Sequence, residues 1–117
     1  MGKAENENSV KKVYNKLVRD RIPEIVQAAG KQCAIETMNE AEFHQALRAK
    51  LVEEAQEAAV ADSIELVTEF ADLYEVIDTL IAAYGIDRQA VLAEQKRRQI
   101  ERGSFNLLIR LLWSGPH

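Results

Sequence analysis

The residues best equipped for chemistry are two short acidic groups, Glu53-Glu54-Ala55-Gln56-Glu57 and Glu69-Phe70-Ala71-Asp72. They lie in a stretch, Leu51 to Asp87, that holds ten acidic residues and no Lys or Arg. Glu54 and Glu57 are centred on the same residue as Glu69 and Asp72, namely Ser63. A chain that folds back at Ser63 brings all four carboxylates to one level. Clustered carboxylates repel one another unless a cation joins them, and a divalent metal is the simplest such cation. Oxygen-only donors favour the hard ions Mg2+ or Mn2+. Zinc does not suit: Cys33 stands alone, and His44 and His117 have no ligand spacing. A di-iron bundle wants Glu-x-x-His repeats, and neither group contains a His.

Positioning such a site requires long helices. Pro23 suits the first turn of a short helix ending at Gly30. Residues 31–38 read as a short extended segment, too isolated for a sheet. Asn39 with Glu42 is a capping box that opens a helix running to about Ala61. Asp62 and Glu65 repeat the pattern for a second long helix ending near Gly85, and Asp87 opens a third that stops at Gly103. The expected fold is all-α, a small bundle built around a central antiparallel hairpin.

A 100° step per residue then places the acids. With Phe43 at zero, Leu47, Leu51 and Ala58 fall between about 0° and 80°, Glu54 near 20°, Glu57 near -40° and Lys50 near -20°. Glu54 and Glu57 therefore sit on the apolar face, with Glu53 at its margin. Burying an unpaired carboxylate costs several kcal/mol or forces protonation. A solvated stripe, the ordinary reading of Glu-x-x-Glu, does not account for acids on an apolar face. On the second helix the apolar stripe reads Leu66, Phe70, Leu73, Ile77, Leu80 and Tyr84, with Glu69 and then Asp72 beside it. His44, about 100° off the first helix's apolar face, is expected exposed. Cys33 is expected to be a small buried residue.

Composition sets the bounds. At 117 residues the chain is one domain, and its net charge of -4 argues against a nucleic-acid-binding surface. One cysteine excludes an intrachain disulfide and fits a reducing, cytoplasmic setting. No apolar run approaches the ~18 residues of a membrane span. Residues 1–12 read as a disordered leader, 13–105 as the domain, and 106–117 as an apolar tail that must pack on the body or on another subunit. Basic residues flank the acidic middle at Lys11–Arg21, Arg48/Lys50 and Lys96–Arg102. Mg2+ prefers to share its shell with water and phosphates, so this layout suits a magnesium–polyphosphate complex.

Three segments carry a family resemblance. Glu53-Glu54-x-x-Glu57, followed twelve positions on by Glu69-x-x-Asp72, resembles the signature of the all-α nucleoside triphosphate pyrophosphohydrolases, the MazG-like group. Tyr14-Asn15-Lys16-Leu17-Val18-Arg19-Asp20-Arg21-Ile22-Pro23-Glu24-Ile25 is similar to the opening of its phosphoribosyl-ATP pyrophosphohydrolase-like branch. Glu101-Arg102-Gly103-Ser104-Phe105 resembles that branch's closing Arg-Gly-Gly-Phe segment, with Ser104 in place of the second Gly. The resemblance implies a dimer or dimer of dimers and Mg2+-dependent cleavage of a nucleotide between the α and β phosphates. It implies Glu54, Glu57, Glu69 and Asp72 as metal ligands, with Glu53 holding a second metal or orienting the attacking water. Glu53 or Glu57 would take the proton. Lys16, Arg19, Arg21, Lys50, Lys96 and Arg102 would be phosphate contacts. Four of these have a plainer role: Arg19 and Arg21 can pair with Asp20 or Glu24, Lys50 with Glu54, and Lys96, in the Lys96–Arg98 run, can lie on a solvated face. The alternatives in function are phosphoribosyl-ATP hydrolysis in histidine synthesis and a helical interaction module with a structural metal.

Overall fold

The computed structural model of the chain describes residues 11–117. Most of the expected leader, residues 1–10, therefore lies outside the described residues. The fold is all-α: α1 is Ile22–Ala28, α2 Glu40–Val60, α3 Leu66–Ala83 and α4 Arg88–Arg102, with no strand among the described residues. Among the described residues no helix is long and apolar enough to cross a membrane.

Local chemistry sets the helix ends. Asn39 accepts from the Glu42 amide at 2.8 Å while the Glu42 carboxylate accepts from the Asn39 amide at 3.0 Å, a complete capping box. Gly85 takes a left-handed φ of 64° after α3, and the Ile86 amide donates back to the Ile81 carbonyl at 2.9 Å. Asp87 opens α4 by accepting from the Gln89 amide at 3.0 Å. The start of α3 differs from expectation. Asp62 accepts from the Ile64 and Glu65 amides, closing a turn before the helix rather than capping it. Glu65 is the N-cap and makes no side-chain cap bond.

Packing centres on the antiparallel pair α2 and α3, with α4 resting on α3. His44 pins the start of α2 to the end of α3. Its Nε2 lies 3.1 Å from the Ala83 carbonyl, and its ring stacks on Tyr84 with centroids 4.2 Å apart. Arg48 adds a 2.9 Å bond to the Tyr84 hydroxyl. These contacts leave His44 half-buried, not exposed, because Tyr84 covers it. Cys33, expected inside, is exposed.

Among the described residues, the buried apolar side chains are Leu47 on α2 and Val76 on α3. Val76 is not in the expected α3 stripe. The buried face is turned by about 60° toward Leu73, Val76 and Leu80, which carries Glu69 inward and leaves Phe70 48% exposed. The tail does not pack on the body: Phe105 is 99% and Trp113 79% exposed.

Candidate metal centre

Glu54 stands in the middle of α2 with its side chain turned onto α3, where only 9% of the residue is exposed. Among the described residues no hydrogen-bond or ion-pair partner reaches it. Burial raises its carboxyl above the ordinary range, and the neighbouring Glu57 raises it further. One oxygen from each of Glu53, Glu54 and Glu57 lies within 4.8 Å of the others. The helical spacing is responsible: the three acids share a single turn on adjoining faces. Glu54 is buried as the wheel implies, whereas Glu57 is exposed, since α3 does not cover its side of α2.

The second acidic group completes the surroundings from α3. Glu69 is half-buried, and its Oε2 is fully enclosed with no hydrogen-bond partner. Its carboxyl is pushed up first by burial and then by Glu57 and Asp72. Glu69 and Asp72 are outside the 4.8 Å set, although the charge of Asp72 acts on Glu54 and that of Glu57 on Glu69.

Basic partners arrive from far along the chain, which spacing within the acidic stretch gave no sign of. The segment before α1 turns at Asn15, whose φ of 47° is a left-handed conformation that Asn tolerates better than most residues. Lys16 follows and places its ammonium 2.5 Å from Glu53 Oε2. Lys50 holds the other oxygen of Glu53 at 3.0 Å, so it pairs with Glu53 rather than Glu54. The hydrogen bonds from Lys16 and then Lys50 lower the Glu53 carboxyl below the ordinary range. Arg19 donates to Asp72 Oδ1 at 2.8 Å. An open hollow of about 160 Å3 beside Glu53 is lined by Lys16, Lys50 and Met38 among others.

The remaining basic residues sit elsewhere. Arg21 pairs with Glu24 at 2.9 Å on the surface. On α4, Arg102 lies 3.6 Å from Glu101, and Lys96 is exposed. Neither Lys96 nor Arg102 bonds to the acidic cluster.

This donor set fits a hard divalent cation. It is oxygen-only, and three acids, Glu53, Glu54 and Glu57, each bring an oxygen within 4.8 Å of the others. Glu69 Oε2, enclosed without a partner, lies outside that set. Lys16, Lys50 and Arg19 neutralise Glu53 and Asp72 but leave Glu54, Glu57 and Glu69 uncompensated.

Comparison with known proteins adds little to this geometry. An uncharacterized protein of Mycolicibacterium smegmatis is 49% identical over 47 residues, covering 40% of this chain and 48% of that protein. The aligned part thus spans about half the length of that curated relative. No family model matches the chain, and no solved structure matches it.

Proposed function

We propose that the chain is a Mg2+-dependent nucleoside triphosphate pyrophosphohydrolase, with Mn2+ able to substitute. It would cleave between the α and β phosphates to release a nucleoside monophosphate and pyrophosphate, a nucleotide-pool-cleaning activity of the MazG-like kind. The observation that carries this reading is Glu54, a residue only 9% exposed with no hydrogen-bond or ion-pair partner among the described residues, bringing an oxygen within 4.8 Å of Glu53 and Glu57.

Glu54, Glu57, Glu69 and Asp72 would hold the metal. A bound Mg2+ supplies charge neutralisation at the phosphates and a more acidic water. The protein's own groups do the rest. Water forms a bond to the α phosphorus, the bond to the bridging oxygen breaks, and pyrophosphate leaves with the electron pair. The water proton needs a carboxylate to receive it. Glu57 is better placed than Glu53 because two ammonium groups already occupy Glu53 and lower its basicity. Lys16, Lys50 and Arg19 ring the centre and supply positive charge for the phosphates, while Glu53 holds the two lysines in position.

The test is pyrophosphate release from a panel of nucleotides, phosphoribosyl-ATP included, with and without Mg2+. Pyrophosphate from at least one nucleotide, dependent on Mg2+, is expected. Release of single phosphate would overturn α–β cleavage. A clear Mg2+-induced rise in Tm with no product from any nucleotide would indicate a metal-binding helical module instead.

A further inference from the structure

The hollow beside Glu53 joins a charged end to an apolar one. Its floor is a single face of α2, Ala46, Ala49, Lys50 and Glu53, at steps of three, one and three residues. Lys50 and Glu53 stand at the end shared with the acidic centre, and Lys16 closes that end through its contact with Glu53. Toward Ala46 the lining turns to carbon, where Leu17 and Met38, both half-buried, join the two alanines. Asn15 lines the hollow from the turn before Lys16.

Each part selects its own ligand chemistry. An ammonium has three donors and Glu53 takes one from each lysine, so donors remain for phosphate oxygens. The carbon-lined part does not suit phosphate, whose charge would be stripped of water there. It suits a flat, weakly polar ring. Met38 adapts its shape and makes favourable sulfur contacts with such rings. The Asn15 amide carries a donor and an acceptor together, a pairing that a base edge also presents. Volume sets a limit. At about 160 Å3 the hollow is smaller than the ~300 Å3 or more that encloses a whole drug-sized ligand. It therefore takes one ring system, with the rest of the molecule outside it toward Glu53. The alanines keep it open, and a longer side chain at 46 or 49 would fill it.

We propose that this hollow is a nucleobase subsite: the base lies against Ala46, Ala49, Leu17 and Met38 with Asn15 at its edge, while Lys16 and Lys50 meet the phosphates. The assignment rests on the nucleotide hydrolysis proposed above and adds where the base is held and which residues select it. Ala49 and Asn15 are then specificity residues, and neither belongs to the acidic cluster.

Calorimetric titration of the full chain, in Mg2+, with α,β-methylene nucleoside triphosphates tests it, since a carbon between the α and β phosphates blocks cleavage. Ribose and deoxyribose forms of the common bases are compared with inorganic tripolyphosphate, which has no base. At least one analogue is expected to bind on the order of 10-fold tighter than tripolyphosphate. Ala49→Leu, at an exposed helical position that Leu suits, should abolish this advantage and leave the tripolyphosphate affinity and the Tm close to wild type. Asn15→Gly keeps the left-handed backbone accessible and removes the amide, so it should narrow the spread of affinities among the bases. An unchanged spread would limit Asn15 to a conformational role and take it out of the subsite. The proposal is overturned if wild type binds tripolyphosphate as tightly as every analogue, if it binds none of them, or if Ala49→Leu keeps the advantage. The hydrolysis reading fails separately. It falls if no nucleotide yields pyrophosphate, even where the base advantage is present and Ala49→Leu removes it. It survives if pyrophosphate is released and Ala49→Leu keeps the wild-type KM.

Discussion

Lys16 reaches across 37 positions of sequence to place its ammonium against Glu53. Glu53 takes a second ammonium, that of Lys50, on its other oxygen. One carboxylate thereby fastens the segment before α1 to the middle of α2. The same contact brings two cations to the edge of the acidic centre, where phosphate charge would have to be met.

The pair is partly exposed, so its energetic worth is modest. A double-mutant cycle over Lys16→Ala and Glu53→Ala should return a coupling of about 0.5 kcal/mol, falling as salt is raised. Chemical denaturation of the four proteins measures it. A coupling of zero at low salt would show that the contact does not hold the segment.

Glu54→Gln should separate stability from function. Without metal, a buried carboxylate is a cost, and the isosteric amide relieves it. The variant's metal-free Tm at neutral pH should rise by about 4 °C, roughly what 1 kcal/mol gives a domain of this size. Its Mg2+-induced thermal shift and its pyrophosphate release should be lost. A retained shift would exclude Glu54 as a ligand.

Glu54 and Glu69 both have carboxyls raised by burial. In the folded chain they hold protons above the ordinary carboxylate range, where the unfolded chain has released them. Their contribution to metal-free stability is therefore full at acid pH and declines as pH rises through the raised values. Glu53, lowered by its lysines, contributes in the opposite sense: its stabilisation is present above the ordinary range and is lost on acidification. Metal requires the ionised acids, so Mg2+ binding should release protons and weaken as pH falls toward the carboxylate range. Titration calorimetry in buffers of different ionisation enthalpy measures the proton count, and no release at any pH would contradict the assignment.

Much of this was legible in the sequence, and the limits have physical causes. The Asn39–Glu42 box, Asp87 and the glycines after α3 and α4 act locally, so the helix ends follow from short-range chemistry. The inward position of Glu54 follows from the 100° step. The α3 face was harder. Apolar residues at helical spacing lie on more than one side of α3, and periodicity alone does not say which side meets α2; Val76 was missed because the larger Phe70 drew the stripe toward a more exposed side. His44 was misplaced for a related reason: Tyr84, which shields it, is forty residues away in sequence. The ties from Lys16 to Glu53 and from Arg19 to Asp72 depend on how the first segment folds back, which no spacing encodes.

Arg19 and Asp72 allow the ligand and anchoring roles to be told apart. Under the proposed function, Asp72 in this 2.8 Å bond would either bind metal itself or steady a phosphate-binding arginine. If Asp72 is a ligand, Asp72→Asn should lower turnover roughly 100-fold or more and weaken Mg2+ binding. Arg19→Ala should then raise the nucleotide KM and leave the Mg2+ affinity of the free protein intact or slightly tighter, because a competing cation has gone. If Asp72 merely anchors Arg19, the two variants should share one phenotype, and the double variant should be no worse than either. Metal titration and steady-state kinetics on the three proteins decide between these outcomes, and identical single variants with wild-type Mg2+ affinity would remove Asp72 from the ligand set.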